Sequence, residues 1–200
     1  MNNDQIQIFG RHIASSFQQR NNVTMRFEPL DLQDAWLIHL EPVRDIRGFF
    51  ARTFCADEFR AHGLQTNFPQ HSISSSVQKG TLRGMHFQTA PHSEVKVVRC
   101  LSGSIWDVII DLRPGSRTFR QWRGFELSEE NGLQLYIPKG FAHGFQTLSD
   151  NARINYLISE VYVPAASTGV RYNDPAFSIT WPLPVTTISD KDTLWPDFSV

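Results

Sequence analysis

Between Ala35 and about residue 182 the chain is a succession of short apolar runs, and this punctuation narrows its possible folds more than any other feature. The runs "WLIHL", "GTLRGMHFQ", "VKVVRCLSG", "SIWDVIIDLR", "WRGFEL", "LQLYIP", "AHGFQTL" and "INYLISEVYV" are divided by Gly, Pro, Asn and Ser. Runs this short, at near-regular spacing with turn residues between them, predict an antiparallel β-sandwich or barrel. Side chains alternate along a strand, so in "SIWDVIIDLR" Trp106, Val108, Ile110 and Leu112 share one face and Ile105, Asp107, Ile109 and Asp111 the other. The two carboxylates predict that the second face meets water or a polar cavity. "CADEFRAHG" is the best helix candidate, with Gly63 as its stop, and "SEENG" is expected to make a single turn.

A chain of 200 residues supports one sizeable core, not two. Residues 1–23 are polar and Gln/Asn-rich and are read as an N-terminal extension, with one domain over 24–200. The C-terminal "PVTTISDKDTLWPDFSV" is read as a segment draped over that domain. A net charge of -1 gives no bias toward nucleic acid or an anionic membrane, so the expected partners are small molecules or a second copy. No stretch approaches the roughly 20 apolar residues of a membrane span, and the N-terminus lacks the apolar core of a secretory signal, which makes the cytoplasm the expected compartment. Cys55 and Cys100 have no C-x-x-C spacing and are read as packing residues. Trp36, Trp106, Trp122 and Trp181 are assigned to packing, with Trp181 a candidate for the border of a pocket.

The residues able to carry chemistry cluster around His86 in "LRGMHFQ" and His143 in "IPKGFAHGF". In the second stretch Pro138 and Gly140 make a tight turn that delivers His143 onto the next strand, an arrangement similar to that of the jelly rolls called cupins. Metal-binding cupins pair that histidine with an H-x-H segment, but here the segment reads His86-Phe87-Gln88, and Glu94 and His92 would have to complete a ligand set. Two hydrogen-bonded structural histidines are the plain alternative. Lys96 stands in the otherwise apolar "EVKVVRCL", where its ammonium must reach a cavity, a partner or the sheet edge. Arg83 and His86 would point to opposite faces of a regular strand, so a bulge is expected at Gly84.

The run R-D-x-R-G-F-F (Arg44 to Phe50), then Gln70, Ser72 and Ser74, "GTLRGMHFQ", "EVKVV", "DVIIDLRPGS", "IPKGFAHGF", "NYLISEVYVP", "YNDPAFSITWP" and "SDKD" resembles the dTDP-4-dehydrorhamnose 3,5-epimerase family. The likeness spans about residues 25 to 197, with the motifs in the family order. It implies an all-β, cupin-type double-stranded β-helix (jelly roll) with short peripheral helices, forming a homodimer. It also implies an isomerase that needs no metal or other cofactor and acts on a nucleoside-diphosphate-linked 4-keto-6-deoxyhexose. Hydrogens on carbons 3 and 5 flank the keto group, so removing either gives an enolate whose charge rests on oxygen. A base must take the proton, a donor must hold the oxyanion, and an acid must return a proton from the other face.

By resemblance the base is His86; an imidazole, with an ordinary pKa of roughly 6.5, suits reversible proton transfer. Asp192 would orient it, Lys96 would stand near the keto oxygen, and Tyr156 would return the proton. Arg83 and His143 match substrate-contacting positions, the guanidinium suiting a diphosphate. Arg47, Gln70, Ser72 and Lys191 match nucleotide- or sugar-contact positions. Three positions depart from the family pattern: Arg52 stands where glutamate is usual, Ser72 where asparagine is common, and Ser167 where a glutamate is seen. Taken singly, Asp192 reads as a solvated tail carboxylate, Tyr156 as a core aromatic and Arg47 as a rim charge. The competing functions are an epimerase of carbon 3 only or carbon 5 only, a metal-dependent cupin oxygenase or isomerase, and a non-catalytic sugar-nucleotide binding module.

Overall fold

The computed structural model describes residues 23–199. Apart from Val23, the N-terminal extension lies outside the described residues. In chain order the elements are β1 (Met25–Pro29), β2 (Trp36–Leu40), β3 (Val43–Asp45), β4 (Gly48–Phe50), α1 (Ala56–Ala61), β5 (Gln70–Ser76), β6 (Leu82–Gln88) and β7 (Lys96–Ser102). They continue with β8 (Ser104–Asp111), β9 (Trp122–Ser128), β10 (Leu133–Ile137), β11 (Phe141–Thr147), β12 (Ala152–Ile158), β13 (Ser167–Gly169) and α2 (Asp190–Thr193). A six-stranded sheet of order β1-β2-β10-β7-β12-β5 faces a five-stranded sheet of order β13-β6-β11-β8-β9, and β3 and β4 form a separate hairpin. This is the expected jelly roll.

The alternation seen in the sequence sorts the side chains into three layers. Leu37, Val98, Leu135 and Ile154 from the larger sheet meet Ile105, Ile109, Phe141 and Phe145 from the smaller, filling the space between. Their neighbours along the same strands point outward. Ile38, Val97 and Tyr136 are covered by α1 through Phe59. Val108, Ile110 and Ala142 are covered by the C-terminal segment through Phe177, Trp181 and Phe198. Burying one such side chain is worth about 1.5–3 kcal/mol. Both outer coverings therefore do more than shield the sheets.

Local details match the sequence expectations in some places and correct them in others. Helix α1 ends before Gly63, whose φ of +71 supplies the left-handed stop. Residues 129–131 form the expected turn after β9. Asp107 and Asp111 are both fully buried, so their face does not meet water. Asp111 instead closes the following loop, accepting bonds from Arg113, Ser116 and Thr118, while Asp107 lies under His143. Burial would raise the Asp111 carboxyl, but these bonds together hold it below the usual carboxylate range. Trp181 packs in the outer layer and donates Nε1–H to the Tyr172 carbonyl at 2.9 Å; it does not line the main cavity. Both cysteines are free thiols.

Candidate active site

The layer between the sheets changes character along the strands. Where Val98 and Cys100 face the core, the same row of β7 continues to Lys96, and the row of β12 runs from Ile154 to Tyr156. At this end the space opens into a cavity of about 670 Å³. A volume of this size falls in the range of small-molecule sites. His86, Arg83 and His143 reach it from the five-stranded sheet, and Lys96, Tyr156, Gln70 and Ser72 from the six-stranded sheet. Ser167 enters on β13, and Lys191 and Asp192 on α2.

A bulge puts Arg83 and His86 on the same cavity. His143 pairs with His86 and Phe145 with Arg83, so Gly84 and Met85 oppose the single residue Gly144. Gly84 has φ +125, and a Cβ there would fall 2.5 Å from the Gly144 Cα. Only glycine fits. The bulged backbone also points the Gly84 N–H at Asp192 Oδ2, at 3.2 Å.

The other Asp192 oxygen lies 2.6 Å from His86 Nε2. Ser189 caps α2 by accepting the Asp192 N–H, which fixes the residue at the first turn. Burial would raise this carboxyl, but bonds and charge from His86, with the Gly84 and Ser189 contacts, hold it below its ordinary range. His86 is thereby oriented, and its second ring nitrogen has no hydrogen-bond partner among the described residues. The His86 side chain is 42% exposed, toward the cavity, while that of Asp192 is 5% exposed.

On the facing wall the Tyr156 hydroxyl lies 3.0 Å from Ser74 Oγ. Burial pushes this phenol well above its ordinary pKa, so it stays a neutral O–H donor at physiological pH. His143, buried beside it, spends Nε2 on both oxygens of Asp107 at 3.0 Å. Lys96 donates to the His86 carbonyl at 3.3 Å and pairs with Glu94 at 3.0 Å. Arg83 donates Nε–H to Ser76 Oγ and an NH2 proton to the Ser75 carbonyl, which lays its guanidinium along the cavity edge. Lys191 lies over the Trp195 ring. Both site imidazoles thus use Nε2 on a carboxylate, and no three His, Cys, Asp or Glu side chains stand together as a metal cage among the described residues.

Two expected contacts are not brought to this cavity. Arg52 pairs instead with Glu58 of α1 at 2.7 Å, because that carboxylate stands only six residues ahead on the adjoining helix. Arg47 sits at the tip of the β3–β4 hairpin, exposed and paired with Asp45. Sequence reasoning missed the place of Asp107 beneath His143. It also missed Glu94 as the partner of Lys96, although the i, i+2 spacing on an apolar run was a visible signal.

This jelly roll, whose open end gathers an imidazole–carboxylate pair, a neutral phenol and a half-buried ammonium, is that of a cupin-fold isomerase. Residues 29–199 match the family model described as dTDP-4-dehydrorhamnose 3,5-epimerase, and the chain belongs to that family. The dTDP-4-dehydrorhamnose 3,5-epimerase of Sinorhizobium fredii is 40% identical over 173 residues, covering 86% of this chain and 89% of the relative. A crystal structure of the Bacillus anthracis enzyme with TDP and PPi bound superposes with a TM-score of 0.85 at 39% identity, covering 88% of this chain and 100% of the other. An epimerase of Legionella pneumophila, in complex with dTDP-4-keto-L-rhamnose, gives a TM-score of 0.80 at 40% identity, covering 84% and 90%.

Proposed function

We propose that this protein inverts carbons 3 and 5 of a dTDP-linked 4-keto-6-deoxyhexose through enolate intermediates, as in dTDP-L-rhamnose formation. His86, held by Asp192, removes the proton next to the keto group. The electron pair moves into the ring and onto the carbonyl oxygen, where the Lys96 ammonium stabilises it. Tyr156 then gives its phenolic proton to the carbon from the other side, and solvent restores both groups. Arg83 supplies forked donors for the diphosphate, with His143, Gln70, Ser72, Ser167 and Lys191 as further contacts around the ligand. The observation that carries this reading is the position of base and acid on facing sheets across one cavity.

The protein works as a homodimer in the cytoplasm, where nucleotide-linked sugars are assembled. Support for the dimer comes from the β3–β4 hairpin, which presents Val43, Ile46, Phe49 and Phe50 at exposures of 54% to 105%. A second copy seated on this hairpin would bury those side chains and give Arg47 a route to the partner's ligand. No helix among the described residues is long and apolar enough to cross a membrane.

The test is solvent deuterium incorporation into the dTDP-linked 4-keto sugar. Label at both carbons is expected, and label at one carbon would replace the double epimerase with the single-site alternative. His86→Ala should abolish exchange at both positions while leaving nucleotide binding. Tyr156→Phe should spare exchange more than net inversion, since a proton can still leave and return on one face. Exchange that persists in His86→Ala would show that the base is another residue.

A further inference from the structure

Glu94 has no part in the chemistry above, yet it is the side chain that holds Lys96. The two side chains are 6% and 13% exposed, and their charged atoms are 3.0 Å apart. Among the described residues no other carboxylate is within ion-pair reach of Lys96. An ammonium has three N–H donors. One is donated to the His86 carbonyl at 3.3 Å, while Glu94 Oε1 holds the ammonium by charge at 3.0 Å, which leaves N–H donors of Lys96 available on a wall of the cavity.

The carboxylate is itself anchored. Its other oxygen, Oε2, accepts the Gln88 N–H at 3.1 Å. The Gln88 side chain in turn donates to the His92 and Val161 carbonyls and accepts the Val163 N–H, so Glu94 is tied to a rigid part of β6. A flexible four-carbon side chain with only the His86 carbonyl to hold it would sample many positions. The Glu94 carboxylate adds a second restraint at 3.0 Å.

We propose that Glu94 is the positioning residue of the oxyanion site, its carboxylate holding the Lys96 ammonium against the cavity wall so that it faces the sugar keto oxygen. This rests on the epimerase reading. A donor set in advance toward developing charge stabilises it without reorganising, and a displacement of about 1 Å can cost on the order of 100-fold in rate. Glu94 also accepts the Gln88 N–H, a bond that a glutamine oxygen at this position can keep, so Glu94→Gln isolates the part that its charge plays on Lys96.

The experiment is a double-substitution cycle on the full chain, reading solvent deuterium exchange into the dTDP-linked 4-keto sugar. Glu94→Gln keeps the shape and removes the charge. It should lower kcat on the order of 10- to 100-fold with KM nearly unchanged. In a Lys96→Met background the same substitution should change kcat by no more than about two-fold, because the group it positions is gone. Equal losses in both backgrounds, an unchanged kcat in the single variant, or a loss confined to KM would each overturn the proposal. A second reading needs no turnover. The Lys96 ammonium should give a resolved nitrogen-15 resonance protected from solvent exchange, absent in Glu94→Gln, and its retention there would also overturn the proposal. Wild-type protein that exchanges no hydrogen would count against the epimerase reading itself, while the resonance would still decide whether Glu94 holds Lys96.

Discussion

At the scale of single residues, the pair formed by His86 and Asp192 links chemistry to stability. The Asp192 carboxyl is depressed in the folded protein, so the unfolded chain takes up its proton first as pH falls. The stabilisation is complete above the ordinary carboxylate pKa of about 3.9 and is lost as pH drops through the lower, folded value. Asp192→Asn should therefore lower Tm most above about pH 5, with the gap from wild type closing below about pH 4, as scanning calorimetry would show. The same variant should reduce deuterium exchange by about 100-fold or more, because the imidazole loses its orienting anion. A Tm gap independent of pH would mean that the pair contributes packing alone. The amino-acid sequence narrowed Lys96 to a cavity, a partner or the sheet edge, because a charge on an otherwise apolar strand has few places to go. Asp192 could not be read in that way. It meets His86 across 106 residues of chain, and only family resemblance joined the two.

At the scale of elements, α1 shows how a short helix survives. Its six residues lie below the length at which a helix is stable alone, and its N-cap Cys55 makes no side-chain cap bond. Its hold is Phe59, fully buried with Phe27, Phe54, Phe68 and Tyr136 around it. Phe59→Ala should cost about 3–5 kcal/mol in urea unfolding. It should leave KM for the sugar nucleotide unchanged at temperatures where the variant stays folded, since this layer is on the outer face of the six-stranded sheet. Helix α1 and the apolar strands were legible because periodicity and glycine stops are local signals, whereas the polar or short strands β1, β3, β4, β5 and β13 carry no such pattern and were not read. The destination of Arg52 was not. Its ion pair with Glu58 depends on how the chain folds back after β4, and the Glu58 carboxylate also accepts the Met25 N–H of β1.

At the scale of the whole molecule, the open hairpin is the least explained surface of a single copy. A stable interface buries roughly 800 Å² per partner, and Ile46, Phe49 and Phe50 would supply its apolar centre. Ile46→Glu combined with Phe49→Ser should shift the mass seen by sedimentation toward the single chain, with little change in Tm at low concentration. A mass unchanged from wild type would count against the hairpin as a dimer contact. An antiparallel sandwich or barrel was legible from strand spacing, while the jelly roll itself came from the turn before His143 and the family resemblance. The burial of Asp107 and Asp111 was not, because an alternating pattern shows which residues share a face without showing whether that face is wet.

The carboxylate partner of His86 follows all thirteen described strands in chain order. During synthesis the described strands leave the ribosome before that carboxylate does, so a nascent product stopped short of residue 192 lacks both the partner of His86 and part of the cavity wall. A chain truncated before residue 192 is thus expected to show no deuterium exchange into the sugar nucleotide.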